Sequence, residues 1–335
     1  VLISKADYPA ELDIPLPFSL LNNNPALNQL EMMPAFWWMY NMYALARNAA
    51  KYHKRDKRKN KQQNIEYDCL APDTIEEIFA ACRLLEIWTA KAWLRSSGRP
   101  QEGLSEKALA AKGRMILSGP EEQTAKLEIL GENIERSSRK VVILKVWQAW
   151  RAYHDMIRYY SVKNLLAWMQ SHPEADFAVM QKELSGKRVE RWINFGGQLM
   201  PEQEADRLRA DITSGRLKDW KAIHGRYGKL WEKYPLAKQR HAFASLCAVQ
   251  GLRRMTNEQW LAALEDSARI QHYISDQVYL SRKKDYDNPF HRSTFRNDDE
   301  MEAAIGTIEE NDFIRQMRAE TGEYLRLVAE IARRG

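Results

Sequence analysis

Apolar residues recur every three or four positions along most of the chain, and this spacing predicts a series of helices. One stripe covers 75–95 and ends at the Ser-Ser-Gly-Arg-Pro sequence of 96–100, which breaks a helix. Thr256 and Gln259 match the capping box that opens another. Further helices are predicted over 105–118, 120–130 and 138–171. We therefore expect an all-α protein, built as a multi-helix bundle.

The most apolar stretch is an aromatic segment near the N-terminus. Between Ala35 and Ala46 the only strongly polar residue is Asn41, so we expect a helix that is buried on all sides. Pro34 suits its first turn, because a helix start leaves its N–H groups unpaired. The pattern predicts that this helix continues to about Lys59.

Residues 1–32 are instead rich in proline and asparagine, which predicts an extended N-terminal arm. The first residues are strand-like, and we expect that the chain was cut from a longer protein. Short segments separated by glycines follow over 174–235, and a soft boundary is expected at Tyr234-Pro235. The predicted divisions are an arm at 1–32, a helical domain at 33–234 and a C-terminal helical region at 235–335.

In the C-terminal hundred residues the sequence predicts a polar loop and an apolar seam along the last helix. A polar loop is predicted over 283–300, where the Asp-Tyr-Asp-Asn-Pro sequence of 285–289 indicates a turn more than a cation site. The rings and cations that follow it at 290–296 allow two interpretations, a docked loop or a cover over an anionic ligand. The apolar seam of the last helix, from Ile314 to Ile331, is short, so packing on the chain's own bundle is favoured over dimerisation.

Composition narrows the classes of function. The chain has 335 residues with only 15 Gly and 12 Pro, which suits long helices. Its three cysteines form no CxxC pair, so a reducing, cytoplasmic location is expected. No apolar run approaches the roughly 18 residues of a membrane span, and we expect a soluble protein without membrane contact. The nucleophile, nucleotide-loop and zinc motifs are missing, so we predict no metal or cofactor and leave open whether the chain is an enzyme.

Charge is concentrated in one place. Residues 47–61 contain eight Lys or Arg and one Asp, a local charge of +7 against +6 for the whole chain. Such a run can hold phosphate groups, and it can also be a solvated helix end, where cations are favoured by the helix dipole. Both interpretations stay open.

Helical spacing places a polar row on the basic segment. Asn41, Asn48, Lys51 and Arg55 are expected on one helical face, and Arg47 is expected to pair with Glu66 or Asp68. Binding of neighbouring backbone by the two amides is the favoured alternative to ligand contact. The candidate ligand-binding residues are Asn41, Arg47, Asn48, Lys51, Lys54, Arg55 and Arg58.

Three stretches together resemble a bacterial family of uncharacterised function. They are Met33-Pro34 with the Trp-Trp-Met-Tyr-Asn-Met-Tyr-Ala-Leu-Ala-Arg-Asn sequence of 37–48, Lys-Arg-Asp-Lys-Arg at 54–58, and Ala-Pro-Asp-Thr at 71–74. Longer members resemble a left-handed parallel β-helix of the sugar-nucleotide acyltransferase or nucleotidyltransferase type, followed by a helical half that this chain resembles. The resemblance implies a trimer in the parent protein and explains the N-terminal arm as the chain leaving the last coil. The resemblance assigns no catalytic residue to this chain.

Two functions follow as expectations. The leading hypothesis is a helical accessory region of a cytoplasmic transferase, whose basic segment binds a phosphorylated sugar or nucleotide. The alternative is a structural or oligomerisation module, built on the aromatic helix and the terminal seam. Nucleic-acid binding ranks last, because the chain outside 47–61 is close to neutral.

Overall fold

The computed structural model describes residues 2–4, 13–57, 59, 63–100, 103–134 and 139–334, and most of them are helical. The helices are α1 Phe36–Tyr40, α2 Met42–Arg55, α3 Pro72–Ser96, α4 Glu106–Ser118, α5 Glu122–Ala125, α6 Val146–Ser171, α7 Phe177–Leu184, α8 Glu202–Thr213, α9 Trp220–Val249, α10 Asn257–Asp287, α11 Pro289–Arg292, α12 Asp298–Ile305 and α13 Asp312–Ala332. The strands are β1 Leu2–Ser4, β2 Leu20–Asn24, β3 Gln29–Met33, β4 Lys140–Ile143, β5 Trp192–Phe195 and β6 Gln198–Pro201. The predicted multi-helix fold is confirmed, with strands that the pattern did not predict.

The described chain divides into two compact units. The first comprises Val1–Asn41 and Glu76–Asp155, and the second comprises Met42–Ile75 and Met156–Gly335. This division differs from the predicted boundaries after 32 and 234. Pro235 lies inside α9, so the helix continues through the position where a boundary was expected.

A sheet in the first unit takes up part of the predicted arm. In the described residues its strand order is β1-β2-β3-β4, with β1 parallel to β2, β2 antiparallel to β3, and β3 parallel to β4. Buried and less buried residues alternate along β3, as expected when one face of a strand is covered. The prediction of an arm at 1–32 and of one helix over 138–171 missed this sheet, because β3 finds its partner β4 far along the chain.

A buried carboxylate ties helices of the first unit together. Glu86 of α3 is 1% exposed and accepts hydrogen bonds from Arg114 of α4 at 2.8 and 3.1 Å and from the Trp150 indole at 3.2 Å. At Gly113 the two helices approach so closely that a Cβ atom would lie 1.8 Å from the Glu86 carbonyl oxygen. Glycine is therefore required at this crossing.

The second unit is built around α10. Helices α2 and α13 both pack on it. Thr256 and Gln259 form the predicted capping box at its start, with hydrogen bonds of 3.2 and 2.9 Å. The terminal seam packs within the chain's own bundle, as predicted. Its buried members are Ile314, Met317, Thr321, Val328 and Ile331.

The predicted aromatic helix is not one helix. Asn41 has φ −138° and ψ 39°, outside the helical region, so α1 ends before it and α2 begins after it. Burial on all sides was also wrong, since Trp38 is 3% exposed but Tyr40 is 36% exposed. Pro34 lies before the first turn, and Ala35 at the helix start has φ 54°.

Two further helix predictions need correction. The helix expected over 120–130 is only α5, and the polar loop expected over 283–300 is largely helical, because α10 continues to Asp287. Asn288 then caps α11 by accepting from the Phe290 N–H at 2.9 Å. The turn predicted at 285–289 thus falls at the junction between these helices. No described helix has the length and apolar content needed to cross a membrane.

Glycine-to-alanine substitution can be compared at a tightly packed helix position, Gly113, and at an open one, Gly228. Gly113→Ala forces α3 and α4 apart and is expected to lower the free energy of unfolding by at least about 2 kcal/mol. Gly228→Ala in α9 meets nothing within 4 Å and is expected to raise it by about 0.5–1 kcal/mol. Urea unfolding of both variants measures the two effects, and effects of the same sign would contradict the packing described.

Candidate anion-binding site

One face of α2 forms a wall of a cavity in the second unit. Because an α-helix has about 3.6 residues per turn, side chains three and four positions apart lie on the same face. This cavity, called the basic cavity below, has a volume of about 860 Å³. Its lining from α2 and the residues just beyond it is Tyr43, Arg47, Ala50, Lys51, Lys54, Arg55 and Lys57, and its lining at the start of α13 is Asn311, Asp312, Phe313 and Gln316.

The start of α13 is fixed by its cap. The Asn311 side chain accepts from the N–H groups of Phe313 and Ile314 at 3.1 and 3.2 Å. This cap directs the Phe313 ring edge-on to Tyr43, with 5.5 Å between ring centroids. The lining of the basic cavity thus includes one aromatic ring from each helix, Tyr43 of α2 and Phe313 of α13.

Cations outnumber carboxylates in the described lining of this cavity. Among the described lining residues there are five Lys or Arg and one carboxylate, Asp312. No described carboxylate forms an ion pair with Lys51, Lys54 or Arg55. Partial burial and the neighbouring guanidinium groups of Arg47 and Arg55 lower the pKa of Lys51. The cavity is therefore suited to an anion, which would relieve this repulsion.

The structure brings together some of the predicted site residues. Arg47, Lys51, Lys54 and Arg55 all line the basic cavity. Asn48 is exposed on α2, outside the described lining. The predicted row does not extend along one continuous helix from Asn41, because the helix is interrupted at that residue.

Two further expectations concern Arg58 and Arg47. Arg58 lies outside the described residues. Arg47 lies over the Tyr43 ring, with its Cζ 5.6 Å from the ring centroid, instead of pairing with Glu66 or Asp68. Both carboxylates bind lysines instead.

Those carboxylates belong to a second cavity that sequence reasoning missed. This polar cavity has a volume of about 650 Å³ and is lined by the 65–68 loop together with parts of α2, α6, α9 and α13. Ala50, Phe313 and Gln316 line both cavities, so the two are neighbours. No local motif marks it, because its charged residues come from distant parts of the sequence.

Backbone contacts position the 65–68 loop. The Glu66 N–H donates to the carbonyl oxygen of Gly197, in the turn between β5 and β6, at 2.9 Å. The N–H groups of Asp68 and Leu70 donate to the carboxylates of Glu66 and Asp68 at 2.9 and 3.1 Å. Both carboxylates are thereby held in fixed directions.

Two ion pairs connect this loop to α6 and α9. Glu66 lies 2.7 Å from Lys238 Nζ and accepts from the Tyr234 hydroxyl at 2.6 Å. Asp68 lies 2.8 Å from Lys163 Nζ. Burial, together with the Glu66 charge, raises the pKa of Tyr234 far above its ordinary value, so this hydroxyl stays protonated.

The Asp68–Lys163 pair stays ionised despite its surroundings. Burial alone would raise the pKa of Asp68, but Lys163, Lys238 and the hydrogen bonds to its carboxylate hold it below its ordinary value. Burial would likewise lower the pKa of Lys163, but Asp68 and Tyr159 raise it. Near neutral pH Lys163 is therefore protonated and not suited to act as a base or nucleophile, and Asp68 is ionised and not suited to act as a general acid.

The rest of the described chain offers less chemistry. No group of three or more His, Cys, Asp or Glu among the described residues is arranged to hold a metal ion. Burial, with the Asp68 charge, raises the pKa of Cys69 to about 12, which makes its thiol unreactive. Phe290 is 86% exposed, and Arg292 pairs with Asp298 of α12, so this segment is a solvated helix junction.

Together these features define a mainly helical protein with a cation-lined cavity beside a polar one. No protein-family model matches the chain, and no solved structure matches it. The chain is similar to an uncharacterized protein of Treponema pallidum (strain Nichols), with 37% identity over 329 residues. The match covers 98% of this chain and 44% of that protein.

Because of the Asp68–Lys163 ion pair, the free energy of unfolding is expected to depend on pH. Because the pKa of Asp68 is lower in the folded chain than in the unfolded one, its ionised form stabilises the fold at neutral pH. That contribution is lost as the pH falls below about 4. Asp68→Asn should therefore lower the free energy of unfolding by about 1–2 kcal/mol at pH 7 and by much less at pH 3.

Urea unfolding at the two pH values measures this difference. Asp206→Asn is the matched control, since Asp206 pairs with Arg209 at 2.9 Å on the exposed surface of α8. It should change stability by less than about 0.5 kcal/mol. A loss from Asp68→Asn that is the same at both pH values would contradict the assignment of an ionised, stabilising Asp68.

Proposed function

We propose that this chain binds a phosphorylated small molecule, a sugar phosphate or a nucleotide, through the basic cavity. The observation that carries the proposal is the excess of cations that line a concave space without carboxylate partners among the described residues. A solvated helix end explains cations that spread into water. Arg47, Lys54, Arg55 and Lys57 are exposed, but with Lys51 they line a single cavity of about 860 Å³ between two helices.

The residue types suit phosphate oxygens. Arg47 and Arg55 present planar guanidinium groups that can bind two phosphate oxygens at once, while Lys51 and Lys54 supply mobile point charges. Phe313 and Tyr43 offer ring surfaces for the remainder of the ligand.

We further propose that the helical chain acts beside a left-handed β-helix in a longer, cytoplasmic, trimeric protein of transferase type. The support is the resemblance of residues 33–74 to such proteins, and the fact that more than half of the Treponema pallidum relative lies outside the match. In this arrangement the basic cavity holds a substrate or a regulatory ligand of the larger protein.

The alternative role, a structural or oligomerisation module, would use both the aromatic helix and the terminal seam. That seam is buried against the chain's own helices, with Ile314 and Ile331 each 1% exposed. Nucleic-acid binding needs an extended basic surface, whereas five of the described cations of the basic segment line one cavity. Neither is proposed.

A pair of double variants tests the basic cavity. Lys54→Ala with Arg55→Ala removes two lining cations and should weaken binding of a phosphorylated ligand by at least about tenfold. Lys221→Ala with Lys229→Ala removes the same charge from exposed positions of α9 and should leave affinity nearly unchanged. Thermal unfolding with nucleotides, nucleotide sugars, hexose phosphates and pyrophosphate at low salt measures the effect.

Two results would overturn the proposal. One is that none of these compounds raises the unfolding temperature of the unsubstituted protein. The other is that both double variants lower the affinity equally, which would indicate a general effect of net charge instead of a site.

A further inference from the structure

We propose that the polar cavity binds the hydroxyl-bearing part of the same ligand, so that the ligand is a polyhydroxylated phosphate ester such as a sugar phosphate. This inference rests on the proposed function of the basic cavity. The shared lining residues Ala50, Phe313 and Gln316 place the two cavities side by side, so one small molecule can reach both.

The charges of the two cavities differ. The described lining of the basic cavity has a large cationic excess, whereas that of the polar cavity has the carboxylates Glu66, Asp68 and Glu320 against Lys163 and Lys238. A phosphate group would gain little binding free energy in the polar cavity, because the carboxylates there outnumber the lysines. A neutral group with many donors and acceptors fits it, because each charged side chain can still accept or donate a hydrogen bond beyond its ion pair.

Pro235 lies inside α9 and removes one hydrogen bond from that helix. Proline has no N–H, so the carbonyl oxygen of Trp231, four residues earlier in α9, lacks its helical donor. Both residues line the polar cavity. Hydroxyl groups of a ligand can donate hydrogen bonds to the carboxylates of this cavity, so its wall is suited to a polyol.

The cavity also has an aromatic wall and space in front of it. Trp231 is stacked on Tyr234 with 5.0 Å between centroids and an interplanar angle of 8°, which holds its ring in place. Ala46, Ala49 and Ala50 form the α2 side of the cavity, and larger side chains there would fill it. A flat ring beside hydrogen-bonding groups suits the apolar face and hydroxyl edge of a sugar.

The buried charges favour a binding role over a purely structural one. Glu66 and Lys238 have side chains only 10% and 13% exposed. Removing ions from water has a large desolvation cost, and replacement of a buried ion pair by apolar residues is often neutral or stabilising. Asp68, Lys163 and Tyr234, whose pKa values are shifted, line the same cavity, and such groups are candidates for ligand contact.

The test compares ligands that share a phosphate and differ in hydroxyl groups. Calorimetric titration of the full chain with a set of hexose, pentose and inositol phosphates is compared with n-butyl phosphate, which carries no hydroxyl on its chain. We expect at least one polyol phosphate to bind at least about tenfold more tightly than n-butyl phosphate, which corresponds to one or two net hydrogen bonds.

Variants assign this preference to the polar cavity. Glu66→Gln and Ala49→Phe, the second of which keeps every charge and fills the space, should each reduce the preference at least about fivefold while the affinity for n-butyl phosphate is kept. Glu232→Gln on the exposed face of α9 is the matched control and should change neither. Thermal unfolding without ligand checks that each variant is folded.

The possible outcomes separate the two proposals. If n-butyl phosphate and the polyol phosphates bind equally, or if neither cavity variant changes the preference, the inference is wrong and the basic cavity alone explains binding. If no phosphate compound binds at all, the proposed function and this inference both fall.

Discussion

The arrangement of the second unit depends on one constraint, that a carboxylate withdrawn from water must have partners. Glu66 is nearly covered, and it is satisfied by Lys238 and Tyr234 of α9, while Asp68 two residues on is satisfied by Lys163 of α6. These contacts, together with the hydrogen bond from Glu66 to Gly197, tie the loop after α2 to two helices and a hairpin. The polar cavity is the space that remains between the elements joined in this way.

The same constraint explains why the two cavities have different chemistry. The acids that follow α2 are already occupied by lysines of α6 and α9, so they do not neutralise the cations on α2 itself. Arg47 lies over the Tyr43 ring instead of meeting a carboxylate, and Lys51 lies between two guanidinium groups. The basic segment therefore keeps its charge inside a concave surface, where an anion from solution can approach it.

Local patterns predicted the features that depend on neighbouring residues. The helix over 75–95, the capping box at Thr256 and the cations of α2 follow from spacing of three or four positions, and the structure shows all of them. The break at Asn41 was missed, because the apolar run on both sides of it carries no sign of a φ value outside the helical range. The cationic face was thus predicted, although its exact members were not.

The missed features depend on contacts between distant residues. Strand β3 pairs with β4, and the two acids of the 65–68 loop find lysines 95 and 172 residues further along the chain. No periodicity encodes such pairings, since each partner taken alone resembles an ordinary surface charge. Sequence reasoning accordingly predicted one half of the candidate site, the basic helix, and gave no sign of the polar cavity beside it.

The central claim is that uncompensated cations on α2 hold the phosphate of a small ligand. The most direct measurement is a crystal structure of the protein with a bound phosphate ester. The account predicts phosphate oxygens within about 3.2 Å of nitrogen atoms of at least two of Lys51, Lys54 and Arg55. A phosphate bound elsewhere on the chain, with the basic cavity filled only by water, would contradict it.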